Sequence, residues 1–347
     1  MSSLPALSVV VPSHDTRELT LACLGSLTRS RAASGPGGME IILVDDGSRD
    51  GTAEAVAGAH PEVAIVRAAE PMGFTRAANR GLAGASGRLL LLLNSDAEVD
   101  AAGLTALAAA FAADPRLGIG GGALFYPDGS PQWSGGAAPT LPWLLGLASG
   151  LPALLSRLPG YRRLRPPSGA SAPSRPSPPW PSSRPVAWVT GAAMAIRRAA
   201  WEEVGPFDEG FRFYTQDLDL CLRAGGAGWR VAVLPAFAVL HHHGATIQGV
   251  ERSGSTAPGR GWQHAELLWT DLLRWAAKAH GEPWARRAAR ALRAGAGLRL
   301  VGRRLATPFL PAAERAAFRA ETAALARARA AVRQQTDSGS AWSRGRR

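Results

Sequence analysis

Short apolar runs alternate with segments of helical periodicity along the first 125 residues of the chain. In the segment after the first run, for example, apolar residues recur at Leu19, Cys23, Leu24 and Leu27. This alternation predicts a parallel sheet with helices on both faces. The predicted strands cover residues 7–11, 40–44, 63–66, 88–93 and 118–125, and the predicted helices cover residues 15–30, 52–59, 73–85 and 101–112.

The second half of the chain changes character twice. Residues 159–185 hold nine of the 26 prolines, with Ser and Arg and no acidic residue. This composition predicts an extended linker or loop. Beyond it, strands are predicted at 187–196, 229–234 and 237–241, and a helix at 217–224. From about residue 262 the pattern is helical, with arginines between the apolar positions.

The positive charge of the chain is concentrated at its C-terminal end. The whole chain has 39 basic and 27 acidic residues, a net charge of +12. Residues 281–347 contain 15 arginines and four acidic residues, whereas residues 1–280 have a net charge of only +1. No DNA- or RNA-binding motif accompanies this charge. We therefore predict no nucleic-acid partner.

Cysteine content and hydropathy exclude further classes of protein. The two cysteines, Cys23 and Cys221, cannot form a disulfide framework, and no Cys/His spacing typical of zinc sites occurs. The chain has no basic segment before its first apolar run and no apolar run of about 18–20 residues. We therefore expect a cytoplasmic protein, and peripheral contact with the inner face of the cell membrane stays open.

Polar clusters follow two of the apolar strands. Asp45 and Asp46 come directly after the second strand, and Asn94-x-Asp96 follows the fourth. In a parallel sheet these positions open into the crevice at the carboxyl ends of the strands. Carboxylates there can accept hydrogen bonds from a nucleoside or bind a hard divalent cation. The alternative is that each cluster is a turn capped by its own side chain.

Five segments in this order resemble the family 2 inverting glycosyltransferases, whose nucleotide-sugar-binding fold is called GT-A. The segments, within residues 7–245, are SVVVPSHD, EIILVDDGSRDGT, GFTRAANRGLAGASGRLLLLLNSDAEV, WVTGAAMAIRRAAWEEVGPFDEGFRFYTQDLDLCLRAGGAGWRVAVLP and HHHG. They are most similar to the bacterial subgroup that includes rhamnosyltransferases of cell-surface polysaccharides. The resemblance implies a Rossmann-like, mostly parallel sheet flanked by helices, an α/β fold to which the helical pattern after residue 262 adds a C-terminal helical appendage.

The resemblance also implies a division of the chain and a set of ligands. Residues 1–125 form a nucleotide-sugar-binding half, and residues 126–250 an acceptor and catalytic half that includes the Pro-rich loop. The C-terminal region lies outside the resemblance. Its helical pattern predicts a basic helical appendage over residues 251–333, and its Gly, Ser and Arg content predicts a disordered tail over residues 334–347. The implied ligands are a nucleotide-sugar donor, with dTDP-rhamnose as the candidate, a glycan or lipid-linked acceptor, and Mg²⁺ or Mn²⁺.

Seven donor-binding residues follow from the resemblance. The first two end the first strand, where the base lies, and the next two match carboxylates that contact the base and ribose. Two more match the helix that supports the pocket, and the last opens the family's metal motif. They are Pro12, Ser13, Asp45, Asp46, Asn79, Gly81 and Asn94.

The resemblance places the metal at Asp96. The family has Asp-x-Asp where this chain has Asn94-x-Asp96, so a neutral amide replaces the first carboxylate. In the family a histidine six residues after the proline that opens a late strand is a second ligand. That position is His241, with His243 as the second choice.

The resemblance makes Asp217 the catalytic base. It would remove the proton from the acceptor hydroxyl while that oxygen attacks the anomeric carbon, a step that needs one carboxylate. The family has Glu where this chain has Gln216, and Asp219 is the reserve candidate. The alternative is that Asp217 is an ordinary first-turn acid of a helix. The helix dipole lowers the pKa of such a carboxyl, so a base here requires burial.

Three further groups of residues have open roles. Residues 190–192 match a glycine-containing segment beside the acceptor cleft. Arg197 and Arg198 are candidates for contact with the diphosphate, and Trp188 and Trp201 could stack on a sugar or belong to the core.

The C-terminal helices and the activity itself also leave alternatives. The helices could lie on an anionic membrane surface or pack on the catalytic domain with a solvated arginine face. A non-catalytic sugar-nucleotide-binding or scaffold relative is the alternative to an enzyme, and Gln216 favours it. A dehydrogenase is excluded because no GxGxxG follows the first strand.

Overall fold

The computed structural model describes residues 6–31, 38–155, 183–211, 213–242 and 265–337. The chain forms two compact units. The first contains Met1–Ala138, Pro167–Glu209 and Gln216–Ser253, and the second contains Pro139–Pro166, Gly210–Thr215 and Gly254–Arg347. Most of the Pro-rich segment, His243 and the last ten residues lie outside the described residues. The predicted four-part division of the chain therefore stays a prediction.

Up to residue 125 the strands of the first unit follow the predicted alternation, apart from a short strand at Ala97–Val99 that the pattern does not predict. They are β1 (Leu7–Ser13), β2 (Met39–Asp45), β3 (Ala64–Arg67), β4 (Leu89–Leu93), β5 (Ala97–Val99), β6 (Leu117–Phe125), β7 (Gly135–Gly136), β8 (Arg184–Pro185), β9 (Trp188–Val189), β10 (Ala193–Arg197) and β11 (Arg230–His241).

The helices belong to both units. In chain order they are α1 (Arg17–Ser30), α2 (Thr52–Ala59), α3 (Phe74–Gly84), α4 (Ala101–Ala113), α5 (Leu141–Ser149), α6 (Leu151–Leu155), α7 (Arg198–Val204), α8 (Gln216–Gly226), α9 (Ala265–His280), α10 (Glu282–Ala306) and α11 (Ala312–Asp337). The second unit holds α5, α6 and α9 to α11. Helix α11 continues into the segment predicted as a disordered tail, as far as Asp337.

Nine strands form one mixed sheet in the order β3-β2-β1-β4-β10-β6-β11-β5, with β8 on β11. Strands β1 to β4 are parallel to one another, as predicted, and β6 is parallel to β11. Alternate residues of β1 point to opposite faces. Val9 and Val11 pack with α1 and α4, whereas Val10 packs with α3 and α8. The helices therefore cover both faces, which confirms the predicted fold class.

Strand β10 runs antiparallel between β4 and β6. The single strand predicted at 187–196 is wrong, because the chain turns at Thr190–Ala192 and separates β9 from β10. The apolar pattern continues through this turn without a break, so periodicity alone does not reveal the turn. Its consequence is that β10 begins beside the end of β4, with Ala193 opposite Leu93.

The two strands predicted at 229–234 and 237–241 form one long strand, β11. Its register against β6 shifts between Leu234, opposite Gly122, and Ala238, opposite Ala123. The residues of β11 between these two pairs have no partner on β6, and they include Pro235. Proline has no N–H to donate to a neighbouring strand and is tolerated in strands at bulges. The bulge lets the strand continue to His241, which pairs with Ala97 on β5.

Three consecutive glycines let β6 lie in the centre of the sheet. A Cβ at Gly121 would lie 2.5 Å from Cβ of Val189, and one at Gly120 would lie 2.7 Å from Cδ1 of Leu234. Side chains from both faces therefore occupy the space that larger residues of β6 would need.

The second unit is helical. Helix α10 packs closely on α5, since a Cβ at Gly295 would lie 2.5 Å from the carbonyl oxygen of Leu145. Its buried side is formed by small residues and Leu292, and the side chain of Gln335 on α11 donates to the carbonyl of Thr270 on α9. Among the helices that the structure describes, none has the length and apolar character needed to cross a membrane.

Candidate active site

The carboxyl ends of β1, β2 and β4 bring the predicted polar clusters to one edge of the sheet. Ser13 at the end of β1 pairs in register with Asp45 at the end of β2, after Pro12 in the same strand. Buried hydroxyl groups then connect β1 to the turn after β4. Ser13 Oγ lies 3.0 Å from Thr16 Oγ1, which lies 3.0 Å from Ser95 Oγ.

Asp45 is buried and held in a defined orientation. Its Oδ1 accepts a hydrogen bond from the Ser48 amide at 3.1 Å, and its Oδ2 lies 3.7 Å from Nε of Arg67. Arg67 is half exposed and also pairs with Glu54. A carboxylate with one amide partner and one long ion pair keeps lone pairs for a further donor, such as a nucleoside N–H or O–H.

Asp46 holds the loop that leads into α3. Its Oδ1 accepts from the Met72 amide at 2.7 Å and its Oδ2 from the Gly73 amide at 2.9 Å. Gly73 has a φ of +89°, which favours glycine at that position. The carbonyl of Asp46 also lies 2.7 Å from Nδ1 of His14. Asp46 thus connects the ends of β1 and β2 to the start of α3.

Two residues of α3 pack this helix against the rest of the unit. Asn79 donates from Nδ2 to the Phe207 carbonyl at 2.9 Å and accepts from the Phe207 amide at 3.0 Å. A Cβ at Gly81 would lie 2.3 Å from Val10 Cγ1 and 2.7 Å from Val44 Cγ2. Both contacts agree with the expected support of the pocket by this helix.

His241 lies beside the turn after β4. Its Nε2 is 3.2 Å from Oδ1 of Asp96 and 3.4 Å from Nδ2 of Asn94. His241 and Asp96 are both buried. The structure therefore brings together the three residues that the resemblance associated with a metal, although they come from two distant segments of the chain.

Gln132 fixes the histidine from its other side. The Oε1 of Gln132 lies 2.8 Å from Nδ1 of His241, and its Nε2 donates to the His241 carbonyl. Since the amide nitrogen is used on that carbonyl, Oε1 faces Nδ1 and accepts a hydrogen bond from the Nδ1–H group. This assignment turns the lone pair of Nε2 towards Asp96 and Asn94.

These residues fit a hard divalent cation. Cis ligands of an octahedral Mg²⁺ at about 2.1 Å lie about 3 Å apart, close to the separation of Nε2 and Oδ1 here. Among the described residues, the buried Oδ1 of Asn94 has no hydrogen-bond partner. The described residues contain no group of three His, Cys, Asp or Glu side chains that could hold a metal. Two side chains would therefore supply the main ligands, and other donors would complete the shell.

Asp217 lies in the first turn of α8. Its Oδ2 accepts from the Gly191 amide at 3.0 Å and its Oδ1 from the Leu218 amide at 2.8 Å. Burial raises the pKa of the Asp217 carboxyl above its ordinary value, against the opposing effect of these amide hydrogen bonds. The shift is in the direction that a base at this position requires.

One turn connects Asp217 to the Asn94-x-Asp96 segment. The Gly191 amide binds Asp217, and the carbonyl of the next residue, Ala192, accepts from the Asn94 amide at 2.9 Å. Ala193 then continues as β10 beside Leu93 of β4. The turn at Thr190–Ala192 thus positions the Asp217 carboxylate relative to Asn94-x-Asp96, and this connection is not visible in the sequence.

The other acidic residue of α8 has a structural role. The Oδ2 of Asp219 accepts from Nε of Arg223 at 2.9 Å, and Arg223 also donates to the Pro206 carbonyl. Asp219 as the reserve base is therefore wrong, because the residue orients Arg223 under the preceding loop. Gln216 is buried, and its Oε1 has no hydrogen-bond partner among the described residues.

Arg197 and Arg198 lie away from this edge of the sheet. Because β10 is antiparallel to β4, Arg197 pairs with Leu89 at the opposite end of β4. Its guanidinium donates to carbonyls of α4 and the residues after it, those of Phe111, Asp114 and Leu117. Arg198 donates to the carbonyls of Ala85 and Gly87. The predicted contact of these arginines with a diphosphate is wrong.

The two tryptophans differ. Trp201 is buried against Phe207, so it belongs to the core. Trp188 is partly exposed, donates from Nε1 to the Ala137 carbonyl, and forms an edge-to-face pair with Trp133 at 4.8 Å. Trp188 therefore remains a candidate for contact with a sugar.

Within the second unit, α9 holds the segment that precedes α8. The buried Oδ2 of Asp271 accepts from the amides of Phe213 and Tyr214 at 3.2 and 3.0 Å. One turn later, Arg274 donates to the Gly210 carbonyl. Burial and the charge of Asp271 raise the pKa of Tyr214 to about 12. Within the second unit, these contacts hold Gly210, Phe213 and Tyr214 on α9.

Sequence reasoning missed Gln132, the Gly191 amide and Asp271. Gln132 follows a short turn in a segment without any motif, and a backbone amide leaves no trace in the residue type. Asp271 lies in an amphipathic helix, and the apolar pattern of such a helix predicts that its acidic residues are exposed to solvent. No signal in a single sequence marks these three contacts.

The mixed sheet with helices on both faces and carboxylates at its strand ends is typical of the GT-A fold. Residues 8–163 match the family described as Glycosyl transferase family 2, and residues 181–311 match the Glycosyl transferase family group 2. The chain belongs to glycosyltransferase family 2 and is similar to rhamnosyltransferases.

Two curated relatives illustrate that similarity. The chain is 29% identical over 299 residues to an N-acetylglucosaminyl-diphospho-decaprenol L-rhamnosyltransferase of Mycobacterium tuberculosis, which covers 77% of this chain and 88% of the relative. It is 42% identical over 60 residues to the rhamnosyltransferase WbbL of Escherichia coli, which covers 17% of this chain and 23% of the relative.

Two solved structures share the fold. A mannosyltransferase of Pyrobaculum calidifontis in complex with GDP-Man and Mn²⁺ has a TM-score of 0.52 and 18% identity, and covers 96% of this chain and 88% of its own. GalNAc-T7 with UDP, GalNAc and Mn²⁺ has a TM-score of 0.50 and 17% identity. The alignment covers 79% of this chain and 48% of the GalNAc-T7 chain. At these identities the likeness supports the GT-A fold alone.

Proposed function

We propose that this enzyme transfers rhamnose from a nucleotide-sugar donor to a lipid-linked glycan acceptor, with inversion at the anomeric carbon. The observation that carries the proposal is the turn at Thr190–Ala192. This turn binds the Asp217 carboxylate through one amide and the Asn94-x-Asp96 turn through the next carbonyl. A base and a leaving-group site are thereby held by one rigid element, as a displacement reaction requires.

The nucleoside binds at the ends of β1 and β2. Pro12 and Ser13 line the base, and Asp45 accepts hydrogen bonds from the base or ribose with its remaining lone pairs. Asp46 orients the Met72–Gly73 loop, and Asn79 and Gly81 hold α3 in place beneath it. In this arrangement Asp45 contacts the donor, whereas Asp46 acts through the loop.

Asp96 and His241 hold a divalent cation, Mg²⁺ or Mn²⁺, with Asn94 beside them. The two solved relatives were both determined with Mn²⁺, which supports this choice. When bound, the cation neutralises the charge that develops on the nucleoside diphosphate as it leaves. Gln132 keeps Nε2 of His241 directed at the site.

Asp217 acts as the general base. Its pKa is raised by burial, which makes it a stronger base than an exposed carboxylate. The Gly191 and Leu218 amides hold one oxygen each and leave a lone pair on each oxygen for the acceptor proton. Proton removal from the acceptor hydroxyl as it attacks from the face opposite the diphosphate inverts the anomeric centre.

The identities of the donor and acceptor rest on the relatives. The printed name of the mycobacterial relative specifies rhamnose and a decaprenol-linked acceptor. By analogy the donor is dTDP-rhamnose and the acceptor is a sugar on a polyprenyl diphosphate. The product would belong to a cell-surface polysaccharide, made at the cytoplasmic side of the membrane.

A transfer assay with metal control tests this proposal. The enzyme is incubated with dTDP-rhamnose and a short-chain N-acetylglucosaminyl diphospholipid, with and without EDTA. We expect transfer that EDTA abolishes and that excess Mn²⁺ or Mg²⁺ restores. Undiminished transfer in EDTA would show that the metal assignment of Asp96 and His241 is wrong. Transfer from GDP-mannose but not from dTDP-rhamnose would refute the assignment of dTDP-rhamnose as the donor.

A further inference from the structure

Four large apolar side chains lie exposed along one side of α10 and the turn after it. Leu298, Val301 and Leu305 are 64%, 57% and 68% exposed, and Phe309 in the 3₁₀ turn Thr307–Phe309 is 88% exposed. Their spacing of three, four and four residues places the three helical ones on one face. We call these four residues the apolar stripe.

The opposite side of the same helix segment is occupied. Arg303 lies five residues after Leu298, about 140° away around the helix. Its guanidinium lies 3.6 Å from the ring centre of Phe318 and donates to Thr322 and Glu321 on α11. Arg303 therefore fastens α10 to α11 on the side away from the apolar stripe, and the stripe faces outward.

Along the chain, the charged residues on either side of the apolar stripe are all arginines. Residues 283–313 contain seven arginines and no acidic residue. Arg287 and Arg290, on the same side of α10 two to three turns earlier, are exposed, and so is Arg304 beside the stripe. The described part of the second unit from Ala265 to Asp337 has 14 basic and six acidic residues.

An anionic lipid surface matches this combination. Exposed aliphatic and aromatic side chains enter the interface between headgroups and acyl chains, and arginines beside them bind the lipid phosphates. A second copy of this chain does not match. A symmetric contact through the apolar stripe would bring the arginines of both copies together without an acidic partner.

We propose that the apolar stripe and its flanking arginines dock the enzyme on a bilayer that contains anionic lipids. Leu298, Val301, Leu305 and Phe309 enter the interface, while Arg287, Arg290 and Arg304 contact phosphate groups. The docking needs neither donor nor metal. It would bring the enzyme to an acceptor whose lipid tail lies in that membrane.

The test uses the full chain and vesicles of two compositions, phosphatidylcholine alone and phosphatidylcholine with about one-third phosphatidylglycerol. The test variant combines Leu298→Gln, Val301→Gln, Leu305→Gln and Phe309→Gln, because Gln keeps helix propensity. The matched control replaces the same four residues with Met, which keeps apolar side chains of similar size. Bound protein is measured by vesicle flotation in about 0.1 M salt.

The proposal predicts that the wild type and the Met control float with the phosphatidylglycerol vesicles and much less with phosphatidylcholine alone. The Gln variant should lose at least about tenfold in partition, since each buried apolar side chain contributes about a factor of ten. The thermal midpoint and the hydrolysis of the donor by water should stay unchanged, because the four residues are exposed. Higher salt should weaken the binding of the wild type.

Three results would overturn the proposal. The first is equal flotation of the Gln variant and the wild type. The second is wild-type binding that is absent or independent of phosphatidylglycerol. The third is a wild-type dimer that the Gln substitutions convert to a monomer in sedimentation without any lipid binding, which would assign the stripe to a second copy. None of these results depends on glycosyl transfer, so they are distinguishable from a failure of the proposed reaction.

Discussion

Gln132 clamps His241 at two points, with Oε1 2.8 Å from Nδ1 of the imidazole and Nε2 donating to the His241 carbonyl. The ring nitrogen opposite this clamp faces Asp96 Oδ1 at 3.2 Å. Residues behind a metal-bound histidine orient its ring and select its tautomer. Gln132 is therefore a positioning residue for the proposed metal site.

Replacing Gln132 tests this role directly. Gln132→Ala should weaken Mn²⁺ binding about 10–100-fold, the range found when such supporting partners are removed. Gln132→Glu should lose less affinity than Gln132→Ala, because its carboxylate still accepts from Nδ1 although it cannot donate to the His241 carbonyl. Titration of Mn²⁺ by electron paramagnetic resonance, with dTDP present, measures both variants. Unchanged affinity in Gln132→Ala would contradict the positioning role.

The raised pKa of Asp217 predicts the acid side of the pH profile. Burial favours the protonated carboxyl, and a protonated carboxyl cannot accept the acceptor proton. As pH falls, kcat/KM should therefore decline through a pKa above the ordinary aspartate value of about 3.9. The measurement is kcat/KM for the acceptor across the acid range at saturating metal. A profile that stays flat down to about pH 4 would contradict the assignment.

We expect a substitution of Asp271, which lies in the second unit, to lower kcat. Asp271→Ala leaves the amides of Phe213 and Tyr214 without this acceptor, and such a loss costs about 1–3 kcal/mol. The segment before Asp217 then loosens, so kcat should fall about tenfold while the KM for the donor stays the same.

Asp271→Asn is the matched control. It still accepts hydrogen bonds and should retain most of the activity. Because it removes the charge that helps to raise the pKa of Tyr214, the titration of that tyrosine should move to lower pH. An ultraviolet titration of the chain, which has three tyrosines, follows this shift. Loss of turnover in Asp271→Asn equal to that in Asp271→Ala would refute the hydrogen-bonding explanation.

A substitution of Arg197 tests whether this arginine stabilises the fold or binds the donor. Arg197→Leu removes three charged hydrogen bonds to carbonyl groups and should lower the free energy of unfolding by about 2 kcal/mol or more. The affinity of the folded protein for dTDP should not change. Urea unfolding and calorimetric titration measure the two quantities. A loss of dTDP affinity without loss of stability would restore the diphosphate role.

Much of the first unit could be predicted from the sequence. The five strands predicted up to residue 125 lie within two residues of their predicted bounds, because alternating apolar runs and amphipathic helices are local signals, whereas the three-residue β5 was not predicted. The candidate residues Asp45, Asn94, Asp96 and His241 also lie where strand ends were expected.

What could not be predicted depends on contacts between distant segments. The antiparallel insertion of β10, the bulge in β11 and the Asn94–Ala192 hydrogen bond are set by register, and register between remote strands leaves no periodic pattern. For the same reason Arg197 was assigned to the wrong end of the sheet. Its residue type suits a diphosphate, whereas its strand direction excludes that contact.

The most direct test is the pair of substitutions Asp217→Asn and Asp219→Asn, which lie two residues apart in the first turn of α8. Each is measured for dTDP-rhamnose binding by calorimetry and for transfer to the acceptor. Asp217→Asn should bind the donor within about twofold of the wild type and lose transfer by about 10²–10⁴-fold, the usual contribution of a general base. Asp219→Asn should lose stability but keep its transfer rate, because it binds Arg223. Transfer by Asp217→Asn at the wild-type rate would contradict the central claim.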